Sequence, residues 1–179
     1  IHFTLSLAKE ERVQVPERRF TKDIKFEIEG FSIGDSIARE RLEIDYVSNF
    51  NGYAIESAKL KSNEDINFEI VGDHFIIEIT KRGISDFALE DLKNVVTSKM
   101  GVPPEHEPKR KERDYLREYY SWKKGPVSLS LSKYEYVGED PLRQLASGSA
   151  WTLDYEDKVY YNILMDEFRN TGPKSTEIQ

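Results

Sequence analysis

The residues in this chain best spaced for chemistry are Ser121 and Lys124, in the stretch "YYSWKKGPVSLSLSKY" from Tyr119 to Tyr134. An SxxK pair is reactive when one helical turn brings the amine to the hydroxyl. Here the serines at 128, 130 and 132 alternate after a Gly-Pro pair, as in a hairpin, and within a strand three residues place two side chains on opposite faces. The pair is read as structural. His2, His74 and His106 form no i, i+4 metal pair. "EHE", Glu105 to Glu107, offers three ligands, but on a Pro-flanked polar loop that would hold them poorly. The absence of cysteine excludes disulfides, thiolate catalysis and cysteine-ligated zinc. No G-x-S-x-G, Walker or dinucleotide fingerprint occurs, and "SGSA" lacks the strand-to-helix context of a phosphate cradle. The expectation is a chain that is not an enzyme and has no cofactor and no bound metal.

Binding chemistry is easier to place. From Lys109 to Lys124 there are seven basic and three acidic residues, a local charge of +4 in a chain of net charge -7. Arg110, Lys111, Arg113, Tyr119, Lys123 and Lys124 are therefore the candidate binding residues, read as one basic, aromatic rim that meets a protein partner. Nucleic acid is not expected, because its binding needs a cationic surface to replace phosphate counterions. No apolar run approaches the roughly 20 residues that span a bilayer. The chain opens on Ile1 with no initiator Met, so what precedes it is expected to be a cleaved signal peptide, a lipid-anchor segment or another domain.

The elements that must position these residues read mostly as strands. Charged residues make up 33% of the chain and hydrophobic ones 38%, a globular composition, and at 179 residues a domain buries roughly 70% of its unfolded surface. "HFTLSL" and "DIKFEI" alternate with the period of half-buried strands. The segment Ile37 to Tyr46 fits either a capped helix or a strand. "YAIESAKL", "INFEIV" and "HFIIEITK" form a meander, with "VGDH" as the last turn. Ser85 to Met100 is a helix: Ser85 caps it, Phe87, Leu92, Val95, Val96 and Met100 fall near helical spacing, and Gly101 with Pro103 and Pro104 stops it. "VPPEHEPKRKERD" reads as a loop and "VGEDPLRQLASGSA" as an exposed excursion.

If Lys123 to Pro126 is a four-residue turn, Trp122 pairs with Val127, Tyr120 with Leu129, Glu118 with Leu131 and Leu116 with Lys133. Trp122 and Trp151 are then buried, and Ser128, Ser130 and Ser132 face water. "WTLDY" closes the sheet, and a second amphipathic helix follows over about Asp157 to Arg169. The predicted fold is α+β, a mainly antiparallel sheet with two principal helices packed on one face. It forms a single domain over residues 1–179, or two related halves of about 1–82 and 83–170, since "FEIEG" at Phe26 to Gly30 is echoed by "FEIVG" at Phe68 to Gly72.

The order "DLKNVVTSKMGVP", a charged loop, "YYSWKKGPVSLSLS" and "WTLDYEDK" resembles a half-module of small secreted or lipid-anchored bacterial proteins of unknown function. In those proteins a helix ends in K-x-G-x-P, a W-K-x-G hairpin follows and a strand ends in Y-x-D-K. "GFSIGDSI" is similar to their G-x-x-x-G-x-S opening, shared with the class built like β-lactamase inhibitor proteins and outer-membrane assembly lipoproteins. The specific part of the resemblance is Asp91 to Lys158. The loops at Val102 to Asp114 and Val137 to Ala150 are longer than the pattern. The resemblance implies a non-enzymatic extracytoplasmic protein-binding module, periplasmic or secreted, with a lipid anchor upstream as one form. The alternative is a cytoplasmic immunity or adaptor protein that neutralises a basic toxin by charge complementarity.

Overall fold

The computed structural model describes residues 26–50, 53–71, 75–146 and 150–158. Among them the chain forms β1 (Leu42–Phe50), β2 (Tyr53–Leu60), β3 (Asn63–Val71) and β4 (Phe75–Ile84). Then come helix α1 (Asp86–Met100), β5 (Glu105–Glu112), β6 (Tyr115–Lys124), β7 (Val127–Tyr136), a six-residue helix α2 (Pro141–Ala146) and β8 (Trp151–Asp157). All eight strands join one antiparallel sheet in the order β1-β2-β3-β4-β8-β7-β6-β5. Two four-stranded meanders thus meet where β4 pairs with β8.

The period-2 pattern separates the two faces. Ala58, Phe68, Ile79, Tyr155, Leu129 and Trp122 lie opposite one another in register across six strands, all buried, and define the core face. Glu69, Glu78, Glu156 and Ser128 form a matching row on the other, polar face. Side chains of the size of Trp122 or Phe68 each stabilise the fold by roughly 2 to 3 kcal/mol on burial.

Two covers shield the core face. α1 turns Leu89, Leu92, Val96 and Met100 inward at helical spacing. Its backbone ends at Gly101, whose φ of 66° supplies the left-handed conformation and whose N–H donates to the Thr97 carbonyl at 2.8 Å. Both indoles beneath α1 find acceptors on it: Trp122 Nε1 donates to Thr97 Oγ1 at 2.9 Å and Trp151 Nε1 to Asp86 Oδ1 at 2.7 Å. The second cover is the segment from Phe26 to Arg41. A tight turn at Glu29 and Gly30, both with positive φ, links Ile28 to Phe31. Phe31 meets Phe68 edge-on at 5.1 Å and Phe26 meets Tyr155 at 5.8 Å. Gly34 and Asp35 tie the segment to Ile76 through two backbone hydrogen bonds.

This arrangement corrects the predicted fold. One eight-stranded antiparallel sheet dominates, not an α+β packing of two principal helices on one face. α1 is the only helix longer than six residues among the described residues. The half of the core face that a second helix would have to cover next to β2–β4 is filled by Phe26, Ile28, Phe31 and Ile37. Of the span expected for that helix, about Asp157 to Arg169, Asp157 ends strand β8 and the residues beyond Lys158 lie outside the described residues, as do "HFTLSL" and most of the "VGDH" turn. The described part of "DIKFEI", Phe26 to Ile28, is not a strand but leads into the turn just noted, whereas Phe68 to Val71 of the second segment lie in central strand β3.

Further differences are local. Phe87 and Val95, expected on the buried stripe of α1, are 98% and 50% exposed. The ambiguous segment resolves into a single 3₁₀ turn at Arg39–Arg41 followed by β1. The predicted loop at Glu105 to Glu112 is strand β5. No described helix is long and apolar enough to cross a membrane.

Candidate functional site

The β6–β7 hairpin turns over Gly125 and Pro126 alone, so Lys124 pairs with Val127, Trp122 with Leu129, Tyr120 with Leu131 and Glu118 with Lys133. This register is tighter by two residues than a four-residue turn gives. Gly125 takes φ 57°, and Pro126 at the second position cannot have positive φ, which is the pattern of a type II′ turn. A slip of two leaves every side chain on its expected face. Trp122 and Trp151 are buried as predicted, whereas Ser128 is 4% exposed rather than solvent-facing. Ser121 lies on the polar face and Lys124 on the core face, so SxxK forms no dyad.

The candidate binding residues spread over the length of the β5–β6 hairpin. Arg113 sits in its turn, while Lys123 and Lys124 lie at the far end of ten-residue β6, roughly 30 Å away. Arg110 shares the polar face with Arg117 and Tyr119, and Lys111 faces the other way. Glutamates pair with part of the strip. Arg110 Nε donates to Glu112 at 2.8 Å, Arg117 lies 3.8 Å from Glu107 and Lys123 lies 3.5 Å from Glu105. Arg117 also stacks over Tyr119 at 4.9 Å. "EHE" splits likewise: Glu105 and Glu107 are on the polar face, and His106 is on the core face, stacked on Tyr120 at 4.2 Å with Nε2 3.2 Å from Glu118. Among the described residues no group of three such side chains could hold a metal ion.

On the polar face Glu69, Glu78 and Glu156 stand directly opposite one another on β3, β4 and β8, with Asp154 one step along. Like charges in such positions are destabilising. Burial, reinforced by Glu69, Asp154 and Glu156, pushes the Glu78 carboxyl up to about 8, and burial raises Glu69 and Asp154 as well. Thr80 donates to Asp154 at 2.8 Å. Glu69, Glu78 and Asp154 resist charging; they are not displayed as free carboxylates.

The two outer strands of the sheet, β5 and β1, are built differently. β5, "EHEPKRKE", has no apolar residue, carries Pro108 and bulges between Glu107 and Arg110, three devices that discourage another strand from pairing. β1, "LEIDYVSNF", displays Ile44 at 37%, Tyr46 at 56% and Val47 at 58% exposure. Its inner side pairs with β2, and among the described residues nothing pairs with its outer side. Arg39, paired with the buried Glu56, and Lys59, 2.8 Å from Asp45, fix the strand from within. Sequence reading missed this edge. The available signal was the apolar, Pro-free alternation of Leu42, Ile44 and Tyr46, which suits a strand but also fits a helix; the extra residue Asp45 then turns Tyr46 to the opposite face from Ile44, which the alternation does not show. Comparison of the chain with protein-family models, with curated proteins and with solved structures gave no match.

Proposed function

We propose that this chain is a non-enzymatic protein-binding module, working outside the cytoplasm, that receives an extended segment of a partner on the outer edge of β1, with which no described residue pairs. One observation carries the reading: β1 displays Ile44, Tyr46 and Val47 on an edge without proline, while β5 at the opposite edge carries none of these features. Main-chain hydrogen bonds along β1 would supply affinity, and alternate pockets beside Ile44 and Val47 on one face and Tyr46 on the other would supply selectivity. The compartment rests on the resemblance of Asp91 to Lys158 to exported modules. The basic strip supports the reading less, because Arg110, Arg117 and Lys123 are matched by Glu105, Glu107 and Glu112 and the candidate residues are separated along the hairpin.

The test is selection of ligands from a displayed library of random decapeptides, at chain concentrations in the low nanomolar range so that copies of the chain do not compete. The expected ligands are extended, with apolar residues at alternate positions, and they lose at least tenfold in affinity to Val47→Lys. Selected peptides indifferent to Val47→Lys, or no selected peptide at all, would overturn the reading.

A further inference from the structure

The pairing of β1 with β2 carries the geometry needed to identify one strand that fits the outer edge of β1, unpaired among the described residues. Ile44 pairs with Ala58, Tyr46 with Ser57 and Val47 with Glu56, so Asp45 is inserted and Ile44 and Val47 both fall on the core face with two residues between them. In an antiparallel two-fold pairing of identical strands, partner positions exchange. A register that sets Ile44 against Val47 of a second copy therefore also sets Val47 against Ile44, giving two apolar cross-strand contacts on one face. The same register sets Glu43 opposite Ser48 and Asp45 opposite Tyr46. No carboxylate meets a carboxylate, and Asp45 is already held by Lys59 at 2.8 Å. The axis runs perpendicular to the sheet, so both core faces lie on the same side and the apolar layer continues across the junction. The protected β5 edges end the combined sheet.

We propose that the strand received by the β1 edge is β1 of a second copy, paired antiparallel about a two-fold axis with Ile44 against Val47. This rests on the reading that β1 accepts a strand. Because each copy carries a charge of -7, the two copies repel at long range, and salt screens that repulsion. Self-association therefore strengthens as salt rises, whereas a cationic peptide on the same acidic chain would bind more weakly.

Sedimentation velocity of the full chain, from low to high micromolar concentration at low and high salt, tests this. The expected result is a mass that doubles with concentration, more readily at high salt. In the Ile44→Lys/Val47→Lys double variant the dimerisation constant should fall at least tenfold. Both side chains are exposed, so this variant should keep the wild-type circular dichroism spectrum; if it unfolds, cross-linking decides instead. Glu43→Cys/Ser48→Cys in this otherwise cysteine-free chain should oxidise to a covalent dimer, while Lys111→Cys on the opposite edge should not. A monomer mass throughout, a dimer untouched by the double variant, or cross-linking equal at both edges would overturn the inference. A monomeric wild type that still binds selected peptides at β1 sinks this inference alone; one that binds none sinks the edge reading too.

Discussion

Glu78 shows how a single residue ties the sheet to pH. Its folded carboxyl is raised to about 8 from an ordinary 4.5, first by burial and then by Glu69, Asp154 and Glu156. Between these values the folded chain holds a proton that the unfolded chain has lost, so folded protein binds more protons and stability falls as pH rises from about 4.5 to about 8. Glu69 and Asp154, raised in the same direction, steepen that fall. Glu78→Gln should flatten the profile and make the protein more stable than wild type above pH 8, by a few kcal/mol at most. Urea denaturation across this range reads the effect, and parallel profiles for the two proteins would contradict it. Trp122, fully buried with its indole N–H held by Thr97, should cost roughly 3 to 5 kcal/mol on change to Ala, whereas Ser130→Ala on the polar face should scarcely move the midpoint. The tryptophans were legible in the sequence because large apolar side chains at period 2 have few places to go. Ser128 was not: its short side chain sits between Lys123 and Glu156 in register, and longer neighbours shade it.

At the scale of elements, local signals succeeded wherever the chain's own pattern decides the structure. α1 was legible because Ser85, Gly101 and the prolines mark its ends and Val96 and Met100 its buried side. β2, β3, β4, β7 and β8 were legible because they alternate. β5 was not, since "EHEPKRKE" has no apolar residue to announce a strand; β6 offers it a hydrogen-bonding edge, and that pairing makes it one. The cover formed by Phe26 to Arg41 was also hidden, because its apolar residues follow no single period and act through turns at Glu29, Gly30 and Gly34. The hairpin register depends on Gly125. A Cβ there would meet nothing within 4 Å, so Gly125→Ala should cost roughly 1 to 2 kcal/mol from left-handed backbone alone. A neutral Gly125→Ala in urea denaturation would mean the turn is not of the type described.

Across the whole molecule, function follows from the difference between two edges that no local pattern reveals. Which strands are outermost is a property of the sheet order, and that order depends on β4 pairing with β8 across a long stretch of chain, Glu78 with Glu156 to Ile84 with Trp151. The basic strip drew attention in the sequence because charge is visible there, while Glu105 and Glu107, which partly offset it, are brought beside Lys123 and Arg117 only by strand pairing. Changing Arg110, Lys111 and Arg113 together to Glu should therefore leave peptide affinity at β1 unchanged, as titration calorimetry would show; a loss of tenfold or more would return the site to the strip. The most direct measurement of the central claim is residue-resolved amide hydrogen exchange with and without a bound strand, whether a selected peptide or a second copy. New protection should appear at alternate, outward-facing amides of Leu42–Phe50 and leave Glu105–Glu112 unchanged. Protection confined to Glu105–Glu112, or to the polar face with Leu42–Phe50 unaltered, would contradict the claim.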